Sequence, residues 1–151
     1  MKIKEVTTKD LKEIHKLEQE VFKEDAFSID LIKKLIRRNT IFFKIIKTGK
    51  IAGFVIIVKD RKDSANIINL LINPKYQNKG YGSILLKHTI EKIKKEDKNV
   101  KKIVLNVKTN NSLAIKLYEK FNFKKTQKIE NYYRSKESSY LMEKVIEEKN
   151  N

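Results

Sequence analysis

In 151 residues the chain has no cysteine, one proline, four glycines and two histidines. The lack of cysteine excludes disulfides, thiolate metal ligands and a cysteine nucleophile. His15 and His88 alone argue against a histidine-rich metal centre, and no metal site is expected. Both lie on the flanks of amphipathic helical patterns, where packing or surface exposure accounts for them. No apolar run approaches the ~18 residues of a membrane-spanning helix. The opening Met1-Lys2-Ile3-Lys4-Glu5 has no signal-peptide apolar core. A soluble, cytoplasmic protein with no membrane partner is the expectation.

What the chain does have is charge. Charged residues make up 36% and hydrophobic ones 40%, with a formal net charge of +16, a globular composition rather than a disordered one. The excess of lysine has two readings. It suits an acidic partner, such as coenzyme phosphates, an acidic peptide or the ribosome surface; equally, it suits a solvated lysine-rich surface. No specific nucleic-acid motif or stacking platform is present. The length fits one domain with a single core, expected over residues 1–146 with a polar tail at 147–151.

Because glycine is scarce, its clustering is informative. Two of the four glycines fall in Gln77-Asn78-Lys79-Gly80-Tyr81-Gly82, with the sole proline, Pro74, just ahead. Upstream, Ile67-Ile68-Asn69-Leu70-Leu71-Ile72 reads as a buried strand. Downstream, Leu85, Leu86, Thr89, Ile90 and Ile93 recur at helical spacing from Gly82 to about Glu96. Strand, tight glycine turn and helix start together aim backbone N–H groups and a positive helix end at one point, which suits a phosphate. A P-loop needs Gly-Lys followed by Ser or Thr, but here Lys79 precedes Gly80. A dinucleotide fingerprint needs a third glycine where this chain has Leu85.

The remaining elements follow in order. Ile3 to Val6 is a short strand; Thr7-Thr8-Lys9-Asp10 matches a capping box for a helix with Leu11, Ile14, Leu17, Val21 and Phe22 on one face. Ser28 caps a second helix whose buried stripe is expected at Leu31, Ile32, Leu35 and Ile36. Thr40–Lys47 and Ile51–Val58 form a hairpin through Thr48-Gly49-Lys50, and Lys59–Ser64 is a polar turn. After the glycine loop and its helix come a strand at Ile103–Val107 and a helix capped by Asn110-Asn111-Ser112, with Ala114, Leu117, Tyr118 and Phe121 on one face. An extended stretch from Phe123, broken near Glu130-Asn131-Tyr132-Tyr133, and a last strand at Tyr140–Ile146 close the chain. The order is β-α-α-β-β-β-α-β-α-β-β, an α/β chain with a mixed sheet flanked by helices.

The glycine hexapeptide resembles the Gln/Arg-x-x-Gly-x-Gly/Ala loop of the GNAT superfamily of N-acetyltransferases. Asn111, Ala114, Tyr118 and Phe123 are similar to that family's Asn-x-x-Ala-x-x-x-Tyr-x-x-x-Gly-Phe region. Asn122 replaces the usual glycine there, and asparagine tolerates the left-handed conformation required. The resemblance covers essentially the whole chain. It implies a GNAT fold: about seven mostly antiparallel strands, four flanking helices, and a splayed parallel pair where acetyl-CoA lies. On that resemblance Leu70, Leu71, Ile72, Gln77, Asn78, Lys79, Gly80, Tyr81, Gly82, Ser83, Asn111 and Tyr118 bind acetyl-CoA, and Tyr118 protonates the departing thiolate.

Asn131-Tyr132-Tyr133 is similar to the acceptor loop of the ribosomal-protein alanine and protein N-terminal acetyltransferase branch. This implies acceptor contacts at Phe27, Asn106, Tyr132 and Tyr133, and a protein or peptide N-terminus as acceptor. It also leaves room for a ribosome or auxiliary-subunit partner. One departure stands out: Asn106 occupies the position of that branch's glutamate base, and asparagine cannot accept a proton at neutral pH. An α-amine, with a pKa of ~7.7–8.0, is roughly one-tenth deprotonated at pH 7, against a few lysines in ten thousand, so the departure favours an α-amine acceptor. Glu24 is a second candidate base or a solvated charge. Two other readings stay open: acetylation of a small amine, and a non-catalytic module that binds coenzyme A or RNA.

Overall fold

The computed structural model describes residues 1–38 and 40–146; the expected tail at 147–151 lies outside them. Among the described residues seven strands form a mixed sheet in the order β1-β2-β3-β4-β5-β7-β6, accompanied by four α-helices. The element order matches the expected one throughout. The strands are β1 (Lys2–Glu5), β2 (Ile41–Lys47), β3 (Lys50–Arg61), β4 (Ser64–Ile72), β5 (Lys102–Lys108), β6 (Lys124–Ile129) and β7 (Ser139–Val145). The helices are α1 (Leu11–Phe22), α2 (Ile29–Arg37), α3 (Tyr81–Glu96) and α4 (Ser112–Lys120). The described residues fall into two compact units: Met1–Val58 with Ile68–Thr89, and Lys59–Ile67 with Ile90–Ile146.

In the first unit, β1, β2 and β3 are antiparallel, from Lys2 opposite Ile46 to Ile41 opposite Ile57. Thr48 and Gly49 both take positive φ, 49° and 75°, the two-residue turn whose twist suits a hairpin. Asp10 accepts the Thr7 N–H at 2.9 Å in the expected capping box. Ser28 Oγ accepts the Leu31 N–H at 3.2 Å and starts α2. Ile14, Leu17, Ile32 and Leu35 pack with Phe42, Phe54, Ile56 and Leu71 in one apolar cluster. On the opposite face Phe43 meets the edge of His88 from α3, with ring centroids 4.9 Å apart. With both faces covered, these strands are apolar almost continuously rather than alternating. Each fully buried Ile or Phe contributes about 1.5–3 kcal/mol.

Gly53 on β3 is required by close approach. A Cβ there would lie 2.6 Å from both the Leu71 carbonyl oxygen and Ile72 Cδ1. Beside it, the Asn73 N–H donates to the Ala52 carbonyl at 2.8 Å, drawing the end of β4 onto β3.

The second unit holds the parallel ladder, Ser64 opposite Lys102 through Ile67 opposite Leu105. β5 pairs along its whole length with β7, and β7 pairs with β6. Its core is built from Ile93, Val100, Ile103, Leu105, Val107, Ile115, Tyr118, Phe123 and Met142.

Three local expectations need correction. The turn at Lys59–Ser64 is shorter than read: β3 continues to Arg61 and β4 begins at Ser64, because strand ends tolerate polar residues where they meet water. Leu31 is 39% exposed, since α2 is only nine residues long and buries Ile32 and Leu35 instead. On α4 the buried residues are Ile115 and Tyr118, with Ala114, Leu117 and Phe121 half-buried.

Candidate active site

The loop between β4 and α3 is built by local hydrogen bonding. Asn73 Oδ1 accepts the Lys75 N–H at 3.1 Å, and Pro74 opens a short 3-10 turn, Pro74–Tyr76, where its missing N–H costs nothing. Gln77 Nε2 donates to the Ile72 carbonyl at 3.2 Å and folds the loop back over the strand end. Asn78 and Gly80 then take left-handed φ values of 62° and 82°, which asparagine and glycine adopt most readily. The Ile84 N–H donates to the Gly80 carbonyl at 3.1 Å and begins the α3 ladder. The N–H groups of Tyr81, Gly82 and Ser83 therefore have no partner within the helix. A Cβ on Gly80 would meet no atom within 4 Å, so the space beside these amides is open. Free amides at the positive end of a 16-residue helix suit a phosphate. The residues present thus fit the diphosphate of acetyl-CoA.

In the second unit, Asn111 caps α4: its Oδ1 accepts the Ala114 N–H at 3.2 Å. At the other end of α4 the Phe123 N–H donates to the Tyr118 carbonyl and the Asn122 N–H to the Glu119 carbonyl, both at 3.0 Å. Asn122 has φ 68°. This is a Schellman motif completed by asparagine, with the Tyr118 and Phe123 rings in contact at 5.7 Å. Tyr118 is therefore fixed at both backbone and ring. Its burial pushes the phenol pKa up, and nearby Tyr133 adds to the rise. The phenol is protonated at any working pH and remains a donor.

Asn106 Oδ1 accepts a hydrogen bond from the buried Ser139 hydroxyl at 3.1 Å. Its amide nitrogen, a donor only, is the group left to meet an acceptor. The loop after β6 turns through Asn131, φ 53°, and Lys136, φ 69°. Tyr132 and Tyr133 stand edge to face at 4.9 Å. Lys108 Nζ lies 5.3 Å from the Tyr133 ring and 3.2 Å from the Glu137 carboxylate. Tyr132 is 47% exposed, so an apolar surface with a polar tip faces water.

Phe27 is half-buried against the core cluster of the first unit. Glu24 is exposed, in the 3-10 turn Lys23–Asp25. Sequence reasoning missed Glu18, which is fully buried. Asn69 Nδ2 donates to Glu18 Oε1, and the Phe27 N–H is directed at the same carboxyl group. Oε2 has no partner among the described residues. Burial raises its pKa to about 8, although the Asn69 and Phe27 hydrogen bonds pull it down. The signal was available: Glu18 lies four residues after Ile14 and three before Val21, on the stripe α1 buries.

The predicted residues thus divide by unit. Phe27, Leu70–Ile72 and Gln77–Ser83 lie in the first, and Asn106, Asn111, Tyr118, Tyr132 and Tyr133 in the second. A groove of about 1250 Å³ in the second unit, lined by Lys94, Lys95, Lys98, Lys101 and Lys124 among others, contains none of them. No group of three or more metal-ligating side chains occurs among the described residues, and no helix there is long and apolar enough to cross a membrane.

Comparison with known proteins gives the same direction as the geometry. The chain is 35% identical over 91 residues to the [ribosomal protein bS18]-alanine N-acetyltransferase of Escherichia coli K12, covering 60% of each. It is likewise 35% identical over 81 residues to an N-alpha-acetyltransferase of Saccharolobus solfataricus, covering 54% of this chain and 48% of that one. The matched region thus spans about half to three-fifths of these relatives. Among solved structures, the ribosomal-protein-S18-alanine N-acetyltransferase from Escherichia coli superposes with a TM-score of 0.86 at 28% identity, covering 99% of this chain and 96% of that one. Residues 8–123 match the acetyltransferase (GNAT) family, and the chain belongs to that family.

Proposed function

We propose that this protein transfers the acetyl group of acetyl-CoA to the N-terminal α-amine of a protein or peptide. The observation that carries the reading is the start of α3: three helix N–H groups without helical partners, behind a loop turned by Asn78 and Gly80, open to a diphosphate. The relatives named for N-terminal acetylation support the choice of acceptor. In this reading residues 1–146 act as one acetyltransferase domain in the cytoplasm.

Gln77 to Ser83 hold the phosphates, the main chain of Leu70 to Ile72 aligns the pantetheine arm, and Asn111 hydrogen-bonds it. The neutral amine nitrogen forms the new C–N bond as the C–S bond breaks, Tyr118 delivers its proton to the leaving sulfur, and the proton the nitrogen then sheds passes through solvent, from which the tyrosinate is reprotonated. The protonated, buried state of Tyr118 supports that role. Phe27, Tyr132 and Tyr133 contact the first residues of the acceptor, and the Asn106 amide donates a hydrogen bond to it. With the Asn106 oxygen engaged by Ser139, the acceptor depends on its own deprotonated fraction, which at pH 7 is roughly a tenth for an α-amine and far less for lysine. Association with the ribosome or an auxiliary subunit belongs to the same reading, supported by the +16 charge.

The test is turnover of a peptide panel varied at the first two residues, with free lysine and polyamines as controls. Peptides should be acetylated at the α-amine, as read by mass spectrometry. Turnover of polyamines without any peptide would overturn the proposal.

A further inference from the structure

The connection between α1 and α2 is held in an uncomfortable conformation. Lys23 has φ 51° and ψ −117°, outside the regions that side-chain-bearing residues favour. Such a backbone persists only where its surroundings over-determine it. The Ala26 N–H donates to the Lys23 carbonyl at 3.1 Å, and Ser28 Oγ caps α2 at 3.2 Å. Between these two restraints, the Phe27 N–H points at the Glu18 carboxyl group. That carboxyl is fully buried and also accepts from Asn69 of β4. Asn69 directly precedes the strand residues read above as aligning the coenzyme. One carboxyl group therefore joins α1, β4 and the α1–α2 connection, on a helix face where a leucine would satisfy packing alone. Oε2 has no hydrogen-bond partner among the described residues.

We propose that Glu18 is a positioning residue for the acceptor: it fastens the Lys23–Ser28 connection to β4 and so fixes Phe27 as one wall of the acceptor's site. The inference rests on the reading of Phe27 in the preceding subsection. It assigns to Glu18 no contact with the reacting atoms. Loosening the clamp frees the wall that receives the peptide, whereas the α3 loop that receives the phosphates keeps its own hydrogen bonds.

Three variants test this. Glu18→Leu suits the apolar stripe of α1 and keeps the fold while removing the acceptor oxygen; Glu18→Ala removes both; Glu18→Gln keeps the oxygen. In the Leu and Ala variants the Phe27 amide should exchange with solvent at least about tenfold faster by hydrogen exchange. The peptide KM should rise by about tenfold, with the acetyl-CoA KM within about twofold of wild type. Glu18→Gln should restore both readouts at pH 7. Unchanged exchange at Phe27 in a folded Glu18→Leu protein overturns the clamp, whatever the activity. Faster exchange with an unchanged peptide KM overturns Phe27 as the wall, and an equal rise in both KM values reduces Glu18 to a structural role. A wild-type enzyme that acetylates no peptide refutes the earlier reading by itself, before any variant is compared.

Discussion

Raising the pH from 5 to 9 should destabilise the wild-type protein relative to Glu18→Gln, and the size of the effect follows from burial. The Glu18 carboxyl is fully buried and has its pKa raised from 4.5 to about 8. Between those values the folded protein keeps a proton that the unfolded chain has released. The slope of unfolding free energy against pH is then negative, at most about 1.36 kcal/mol per pH unit. The contribution is full below about 4.5 and gone above about 8, a total of about 5 kcal/mol. Local opening of the Lys23–Ser28 segment, which would let water reach the carboxylate, makes that figure a ceiling. Glutamine matches the neutral acid in shape and cannot ionise, so subtracting the two curves removes every other titrating group. Urea unfolding at half-unit pH steps supplies the curves. The two proteins should differ by less than about 1 kcal/mol at pH 5, and the variant should be the more stable by several kcal/mol at pH 9. Parallel curves, agreeing within about 0.5 kcal/mol over the whole range, would show that Glu18 titrates as a hydrated carboxyl and that its burial has been misjudged.

Other outcomes follow from the same coordinates. Tyr118→Phe should cut turnover by about 10²-fold or more while leaving the dissociation constant of acetyl-CoA unchanged; equal loss of both in calorimetry and steady-state assays would make Tyr118 a packing residue. Gly80→Ala should weaken acetyl-CoA binding about tenfold by forcing a side chain into a left-handed backbone at a cost of about 1–2 kcal/mol, with little steric effect because nothing lies within 4 Å of the new methyl. Gly53→Ala should instead act on stability, by about 1–3 kcal/mol, because its methyl would lie 2.6 Å from the Leu71 carbonyl oxygen; a thermal shift separates the two glycines. Asn111→Ala should cost about 0.5–2 kcal/mol through the lost cap, in addition to any change in coenzyme affinity.

Features governed by local hydrogen bonding were legible in the sequence. The Thr48-Gly49 turn, the Ser28 and Asn111 caps and the left-handed Asn122 each depend on residues within four or five positions, and all are present. Features governed by burial were less legible. Lys59, Asp60 and Arg61 read as a turn because they are polar, yet they continue β3. Leu31 read as core because it is apolar, yet a nine-residue helix has only a narrow buried face. Glu18 is the converse case, a buried charge that the sequence reading passed over although its helical spacing put it with Ile14 and Val21. Its partner Asn69 is 51 positions away, and no local pattern couples them.

Among the described residues, buried Glu18 and the buried Tyr118 phenol are both shifted upward, so at pH 7 each mainly holds its proton. Asn106 is neutral by composition, and its oxygen already accepts from Ser139. In the proposed reading the described residues therefore supply donors, at Tyr118 and at the Asn106 amide, and among them no buried carboxylate ready to take a proton. Glu24 is exposed to solvent in the 3-10 turn Lys23–Asp25. That division of labour supports the proposed α-amine acceptor. An enzyme that brings its own strong base can act on a lysine, whereas one that offers only donors needs an amine that is partly neutral before it arrives. In a protein, that amine is the N-terminus.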